Sequence, residues 1–344
     1  MRRSKTLLRP LFLFPFLTIL FSHVSLGQLS DFKNYNFHKP DSIAANLKSP
    51  ITNLKGLSES LTNLLSTDVE KFRAIYKWVC NNIENDYDLY LKNKRMRKKF
   101  INDSLKLKNW NREFHAKVVE KLVKENKTIC TGYAYLIKEL AYFANIDVEI
   151  INGYGRTIQS NIGGDGIPNH SWNAVRLNNK WYLCDATWSS GSINPQQSFF
   201  IKSFNEGYFL SDPELFIKNH YPLDTSWMLL RNKPSLYDFL NGPIVYKGAF
   251  NQQLLPTAPF TFHSTVSKGD TLTFKFDSPL DCSQKFIEIQ QIRNNTVISA
   301  PSKIYRDNYG HYCIDQTFNI TGSVDLHILF DDEYVVSYAI KTVK

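Results

Sequence analysis

The sequence predicts an α+β protein in which helices pack on an antiparallel sheet and a β-sandwich follows at the C-terminal end. Apolar residues recur at helical spacing through the first half of the chain, and two short alternating segments flank Asn178-Asn179 in the middle. From residue 245 the pattern becomes a series of short alternating runs separated by Gly, Asn and Asp. An aromatic content of 14% and an apolar fraction of 43% suit packed cores and exclude a disordered polypeptide.

Residues 1–27 read as a signal peptide. Arg2, Arg3, Lys5 and Arg9 form a basic start, Leu11 to Phe21 is apolar, and Ser25 and Gly27 supply small residues before a cleavage point at Gln28. The apolar run is shorter than the roughly 20 residues of a membrane span, so no stable span is expected after cleavage. The mature protein is therefore expected to be exported: periplasmic, cell-surface or secreted. Removing this segment lowers the net charge from +9 to about +5, a modest excess that implies no nucleic-acid partner. Five cysteines remain, at 80, 130, 184, 282 and 313, and an odd number in an exported chain implies a free thiol. Cys282 and Cys313 either pair or are buried as small hydrophobes. Neither zinc-site spacing nor a calcium loop is present, so no metal or cofactor is expected.

Residues 28–65 are polar and irregular and read as an extended lead-in with room for one short helix. A first domain is expected over 66–240. It opens with a helix over 68–84, announced by the Thr67/Glu70 capping box and by Val69, Phe72, Ile75, Tyr76, Val79 and Ile83 at helical period. Lys92 to Lys99 packs six basic residues into eight positions and reads as a solvated insertion, or alternatively as a patch for an anionic polymer. Helical spacing resumes from Phe114 to Lys124, and a further helix begins around Cys130, with Tyr133, Leu136, Ile137 and Leu140 on its apolar face. Strands follow at 148–151, 171–177 and 181–186, and 195–240 reads as segments closing the domain. Residues 245–344 read as a β-sandwich of immunoglobulin-like kind, with runs such as 271–276, 286–289 and 324–330.

The chemistry centres on Cys130. A cysteine attacks as thiolate, and a helix N-terminus and a nearby imidazolium both favour that anion. If the strands around Asn178-Asn179 form a two-residue hairpin, Trp172 opposes Asp185, and His170 opposes Thr187. His170 and Asp185 then lie diagonally on one face, where the carboxylate can hold the imidazole. A one-residue slip would move Asp185 to the other face. Cys184 points away and reads as core.

The segments Cys130-Thr-Gly-Tyr-Ala, Asn169-His170-Ser-Trp-Asn-Ala-Val and Trp181-Tyr-Leu-Cys-Asp185-Ala-Thr-Trp resemble the three motifs of the transglutaminase-like superfamily, in particular its kyphoscoliosis peptidase-type branch. The likeness continues through Tyr208 to Ile217, His220-Tyr-Pro and Trp227-Met-Leu-Leu. The resemblance implies a papain-like core and a catalytic Cys130-His170-Asp185 triad performing acyl transfer. The backbone N–H of Cys130 and the side chain of Trp78 are candidates for the oxyanion donor, and Tyr133 and Trp172 for substrate contacts. The expected substrate is a protein or peptide, at the cell envelope, cleaved at peptide or isopeptide amides, with hydrolysis favoured over cross-linking. The alternative is a non-catalytic binding or assembly module at the cell surface.

Overall fold

The computed structural model describes residues 29–158, 167–194 and 199–344, so the expected signal segment lies outside the described residues. The first half is helical. Helices α1 (His38–Asn46), α2 (Leu54–Thr62), α3 (Asp68–Asn82), α4 (Tyr87–Lys99), α5 (Ser104–Glu125) and α6 (Cys130–Phe143) surround a four-stranded antiparallel sheet. A two-residue parallel pairing of β1 (Glu84–Asn85) with β2 (Lys127–Thr128) ties the end of α3 to the start of α6. The sheet itself contains β3 (Val148–Gly155), β4 (His170–Leu177) and β5 (Lys180–Cys184), with β8 (His220–Pro222) completing the order β5-β4-β3-β8. Between β5 and β8 come the short helix α7 (Ala186–Ser190) and a hairpin of β6 (Gly191–Asn194) and β7 (Phe199–Lys202).

The α3 capping box forms as its residues predict: Thr67 Oγ1 accepts from Glu70 N–H at 3.3 Å, and Glu70 Oε2 accepts from Thr67 N–H at 3.1 Å. Its apolar face, including Phe72, Ile75, Tyr76 and Val79, is fully buried. The β4–β5 hairpin has the expected register, Leu177 opposite Lys180 and Asn173 opposite Cys184. Asn178 and Asn179 take φ of 49° and 63°, as a tight hairpin turn requires.

Two expectations need correction. The lead-in is two packed helices rather than an extended segment with one short helix: Ala44, Leu57 and Leu61 are buried, and Ser58 Oγ donates to Leu140 O at 2.7 Å. Each helix has nine residues and few apolar positions, so its stability comes from tertiary packing that periodicity does not reveal. The basic run 92–99 is solvated as expected, with all of its basic residues but Arg97 exposed, yet it forms the body of α4 rather than an insertion. Asp86 caps this helix by accepting from Leu89 N–H at 2.8 Å, and Arg97, Lys98 and Lys99 fall in the last turn, where the helix dipole favours cations.

The C-terminal region is a sandwich of two sheets. One holds Leu255–Ala258, Thr271–Asp277, Tyr312–Thr317 and Tyr305–Arg306. The other holds His263–Ser267, Glu333–Val343, Gly322–Phe330, Ile287–Arg293 and Thr296–Ser302, with Ile244–Val245 joined to its long strand. Pairing is antiparallel except that His263–Ser267 runs parallel to Glu333–Val343. Phe274 meets Tyr338 at 5.0 Å and Phe276 meets Phe330 at 5.3 Å across the sandwich. Cys282 and Cys313 are both buried free thiols. The same core continues out of the sandwich into the central sheet, joining Phe250, Phe276 and Ile328 to Trp172, Leu183 and Phe216. Among the described residues no helix is long and apolar enough to cross a membrane.

Arg73 links the lead-in, α3 and the segment after β7. It is buried, with Nε 2.6 Å from Asp41 Oδ1, Nη2 2.9 Å from Glu206 Oε2, and its guanidinium 4.8 Å from the Phe209 ring centre. Because Asp41 and Glu206 are 31% and 44% exposed and can return to water, losing the Arg73 hydrogen bonds costs about 2 kcal/mol. Arg73→Ala should therefore lower the unfolding free energy by that amount, read as a lower urea midpoint at unchanged slope, and an unchanged midpoint would contradict this role.

Candidate active site

Cys130 is the first residue of α6, whose N-cap, Ile129, offers no side-chain bond to the helix start. Gly132 N–H donates to Ile129 O at 2.8 Å, while helix geometry leaves the amides of Cys130 and Thr131 without intrahelical acceptors, so donors and the positive end of the dipole lie beside the sulfur. Gly132 serves the chain's own packing: a Cβ there would stand 1.8 Å from Thr128 Oγ1. That side chain is fully buried under the first turn.

His170 opens β4 and is fixed from both sides. The Asn169 side chain pairs with the backbone of Gly155, accepting from its N–H at 2.7 Å and donating to its C=O at 2.9 Å. A Cβ on Gly155 would touch His170 Cβ at 3.0 Å, so glycine gives the imidazole its place. His170 Nε2 donates to Asp185 Oδ2 at 2.7 Å, and Cys130 hydrogen-bonds to the same imidazole. Asp185 is 1% exposed and caps α7, with Oδ1 accepting from the N–H groups of Thr187 at 2.8 Å and Trp188 at 3.3 Å.

A second histidine completes the group. His220 Nε2 lies 3.1 Å from the same Asp185 Oδ2, and its Nδ1 lies 2.6 Å from the Asn219 side-chain amide. Pairing of β8 with β3, which sets His220 opposite Gly155, brings it there. Aromatic rings enclose both imidazoles: Trp188 stacks on His170 at 5.0 Å, and Phe216 stacks on His220 at 4.0 Å. His170, Asp185 and His220 offer nitrogen and oxygen atoms within 4.8 Å of one another, a spacing compatible with a metal ion and already accounted for by the two hydrogen bonds.

Electrostatics separate the two histidines. Burial lowers the pKa of His170, but the Asp185 charge and hydrogen bond, helped by Cys130, outweigh it and raise the imidazole to about 10. Burial also lowers His220, and there it prevails over Asp185, leaving the imidazole at about 4 and neutral at physiological pH. For Asp185, burial pushes upward, and the pull of His170 and His220 holds the carboxyl well below its ordinary range.

The structure brings together Cys130, His170 and Asp185 as the sequence expects, and places the other candidates elsewhere. Trp78 is not an oxyanion donor, because α3 points it at the lead-in and its N–H donates to Leu47 O at 3.0 Å. Tyr133 faces the core of α6 and donates to Ile83 O at 2.9 Å, and Trp172 is 1% exposed beneath the histidines. Neither contacts the cleft. His220 carried no assigned role in the sequence, although its His-Tyr-Pro segment belongs to the resemblance. A three-residue strand gives no periodicity from which its pairing can be read.

The cleft has two lobes, of about 400 and 450 Å³, that meet at Cys130, Asn169 and His170. The C-terminal region supplies part of one wall through Ile244 to Lys247.

The two imidazoles make stability depend on pH in opposite directions, His220 on the acid side and His170 on the alkaline side. For His220 the unfolded value is about 6.5, so below it the unfolded chain takes up a proton that the folded chain refuses until about pH 4. That part of the stability is lost as pH falls through this window. The contribution of His170 is complete below about pH 6.5 and is lost only as pH rises through about 10. His220→Gln should flatten the fall of the urea midpoint between these acid limits relative to the parent protein, whereas parallel curves would contradict a buried neutral His220.

A family model described as the transglutaminase-like superfamily matches residues 55–186, a span that contains Cys130, His170 and Asp185. The kyphoscoliosis peptidase of Homo sapiens is 32% identical over 237 residues, covering 67% of this chain and 33% of that protein. Its Mus musculus counterpart is 31% identical over 249 residues, covering 71% and 34%. Hillarin of Drosophila melanogaster is 25% identical over 240 residues, covering 65% and 27%. The chain spans about a third of the length of these curated relatives. Joined to the site geometry, these matches make the chain a member of the transglutaminase-like superfamily, in the branch of the kyphoscoliosis peptidases.

Proposed function

We propose that the protein is an exported thiol-dependent acyl-transfer enzyme acting on peptide or isopeptide amides, with hydrolysis as its ordinary outcome. The observation that carries this reading is the 2.7 Å bond from buried His170 to buried Asp185, with Cys130 at the start of α6 acting on the same imidazole. A positively charged imidazole beside a sulfur at a helix N-terminus favours the thiolate. In the proposed cycle that thiolate attacks the amide carbon, forming the C–S bond. The oxyanion is met by first-turn amides such as that of Cys130, since the Trp78 N–H is engaged elsewhere. As the C–N bond breaks, His170 passes its proton to the leaving amine. Neutral His170 then takes a proton from water, and the resulting attack releases the acyl group as acid and regenerates the thiolate.

Asp185 holds the imidazole and offsets its charge, and His220 is a positioning residue that holds Asp185. The cleft supplies no described carboxylate to draw in a competing amine, which favours water as acceptor. Export rests on the basic start, apolar run and small residues of positions 1–27. The peptidase names of the relatives add support for an amide substrate.

A thiol-directed active-site probe tests the assignment. It should label the wild-type protein and leave Cys130→Ala unlabelled. Equal labelling of both proteins would overturn the nucleophile, and a wild-type protein that resists the probe would favour a binding or assembly module. Release of free acid from an acyl donor, with no incorporation of a primary amine into a glutamine-bearing protein, is the outcome expected of a hydrolase.

A further inference from the structure

We infer that the groove across Cys130 takes an acidic peptide segment, a specificity that rests on reading Cys130 as the nucleophile of an amide-cleaving site. The two lobes share Tyr90, Lys94, Cys130, Asn169 and His170, so an extended chain crossing the sulfur passes from one lobe into the other. Lys94 stands in the wall of both. Arg97 lies in the lobe beside α5, and Arg156 and Lys247 lie in the lobe beside the C-terminal region. Among the described residues no Asp or Glu lines either lobe. The groove therefore presents positive charge along its length, opposed among the described residues only by the Cys130 thiolate itself.

Arg156 and Arg97 are both desolvated, and neither is paired with a carboxylate. Arg156 is 8% exposed, and its Nη1 donates to two backbone carbonyls, Phe239 O and Pro243 O, each at 3.0 Å. Burial lowers its pKa to about 10, with no neighbouring anion opposing the change. Arg97 donates from Nη1 to Pro168 O at 2.7 Å, and its Nε is buried with no partner. Arg73 makes the contrast within the same molecule: it is buried as Arg156 is and holds both Asp41 and Glu206. A buried charge without a counter-ion is unfavourable, and a carboxylate that supplies one is bound in proportion. The groove residues are so arranged that the missing carboxylates come from the substrate. A peptide suits the groove better than another polyanion, because Asn93, Asn111 and Asn152 line it with amides able to bond a peptide backbone.

The test uses the full chain carrying Cys130→Ala, so that binding is read without turnover. Short fluorescent peptides rich in Asp and Glu, their Asn and Gln counterparts, and a single-stranded oligonucleotide of matched charge are compared by anisotropy at low and at physiological salt. The acidic peptide should bind about tenfold more tightly than its amide counterpart at low salt, and less so as salt rises. Adding Lys94→Gln and Lys247→Gln, both exposed positions that the fold does not need, should remove most of that advantage. Arg156→Gln should do the same if it folds, as circular dichroism would report. Equal binding of acidic and amide peptides overturns the inference. An advantage that survives the lysine exchanges does so as well, as does an oligonucleotide that binds as tightly as the acidic peptide. Because these readouts need no thiol, they stand apart from probe labelling of the wild-type protein. Labelling without acidic preference removes only this inference, and acidic preference without labelling removes only the nucleophile.

Discussion

The interaction on which the rest depends is the burial of one carboxylate. Asp185 is all but sealed from solvent, and an isolated charge there would be strongly destabilising. Every lone-pair direction is therefore met: two amides of α7 on one oxygen, and the imidazoles of His170 and His220 on the other. This requirement accounts for much of the local architecture. The turn from β5 directly into α7 makes Asp185 a helix cap, the hairpin register sets His170 beside it, and the pairing of β8 with β3 delivers His220.

One carboxylate between two imidazoles would accommodate two positive charges only at high cost in a dry site. The environment divides the roles. His170, which faces Cys130, holds its proton, while His220, deeper among Phe216, Trp172 and Trp188, stays neutral. The charged imidazole is thus the one able to stabilise a thiolate. The aromatic box excludes water from the pair, which strengthens the attraction between Asp185 and His170. The sandwich enters this arrangement through packing. Tyr208 stacks on Phe250 at 4.2 Å and also meets Trp188 at 5.7 Å, so the C-terminal core presses directly on the wall of the site. The C-terminal region is part of the cleft's construction, not an appendage to it.

Much of the site was legible in the sequence because its information is local. The Asn178-Asn179 turn fixes register within a few residues, and register alone decides that His170 and Asp185 share a face. The start of α6 at Cys130 follows from apolar spacing beyond it. What escaped was set by distant contacts. The helices of the lead-in carry too few apolar residues to declare themselves, and the basic run, correctly read as solvated, did not announce a helix because its cap, Asp86, and the Pro168 carbonyl that holds Arg97 lie outside it. Trp78 shows the converse: its residue type suits an oxyanion donor, and only the fold reveals that Leu47 holds its N–H. His220 needed the three-dimensional pairing of a three-residue strand.

At the heart of the site, Asp185 keeps His170 protonated beside Cys130. A pH titration of the His170 ring nitrogens by NMR measures this directly. Both nitrogens should remain protonated through about pH 8, with deprotonation near 10. A His170 that titrates near about 6.5, like an unperturbed imidazole, would contradict the account.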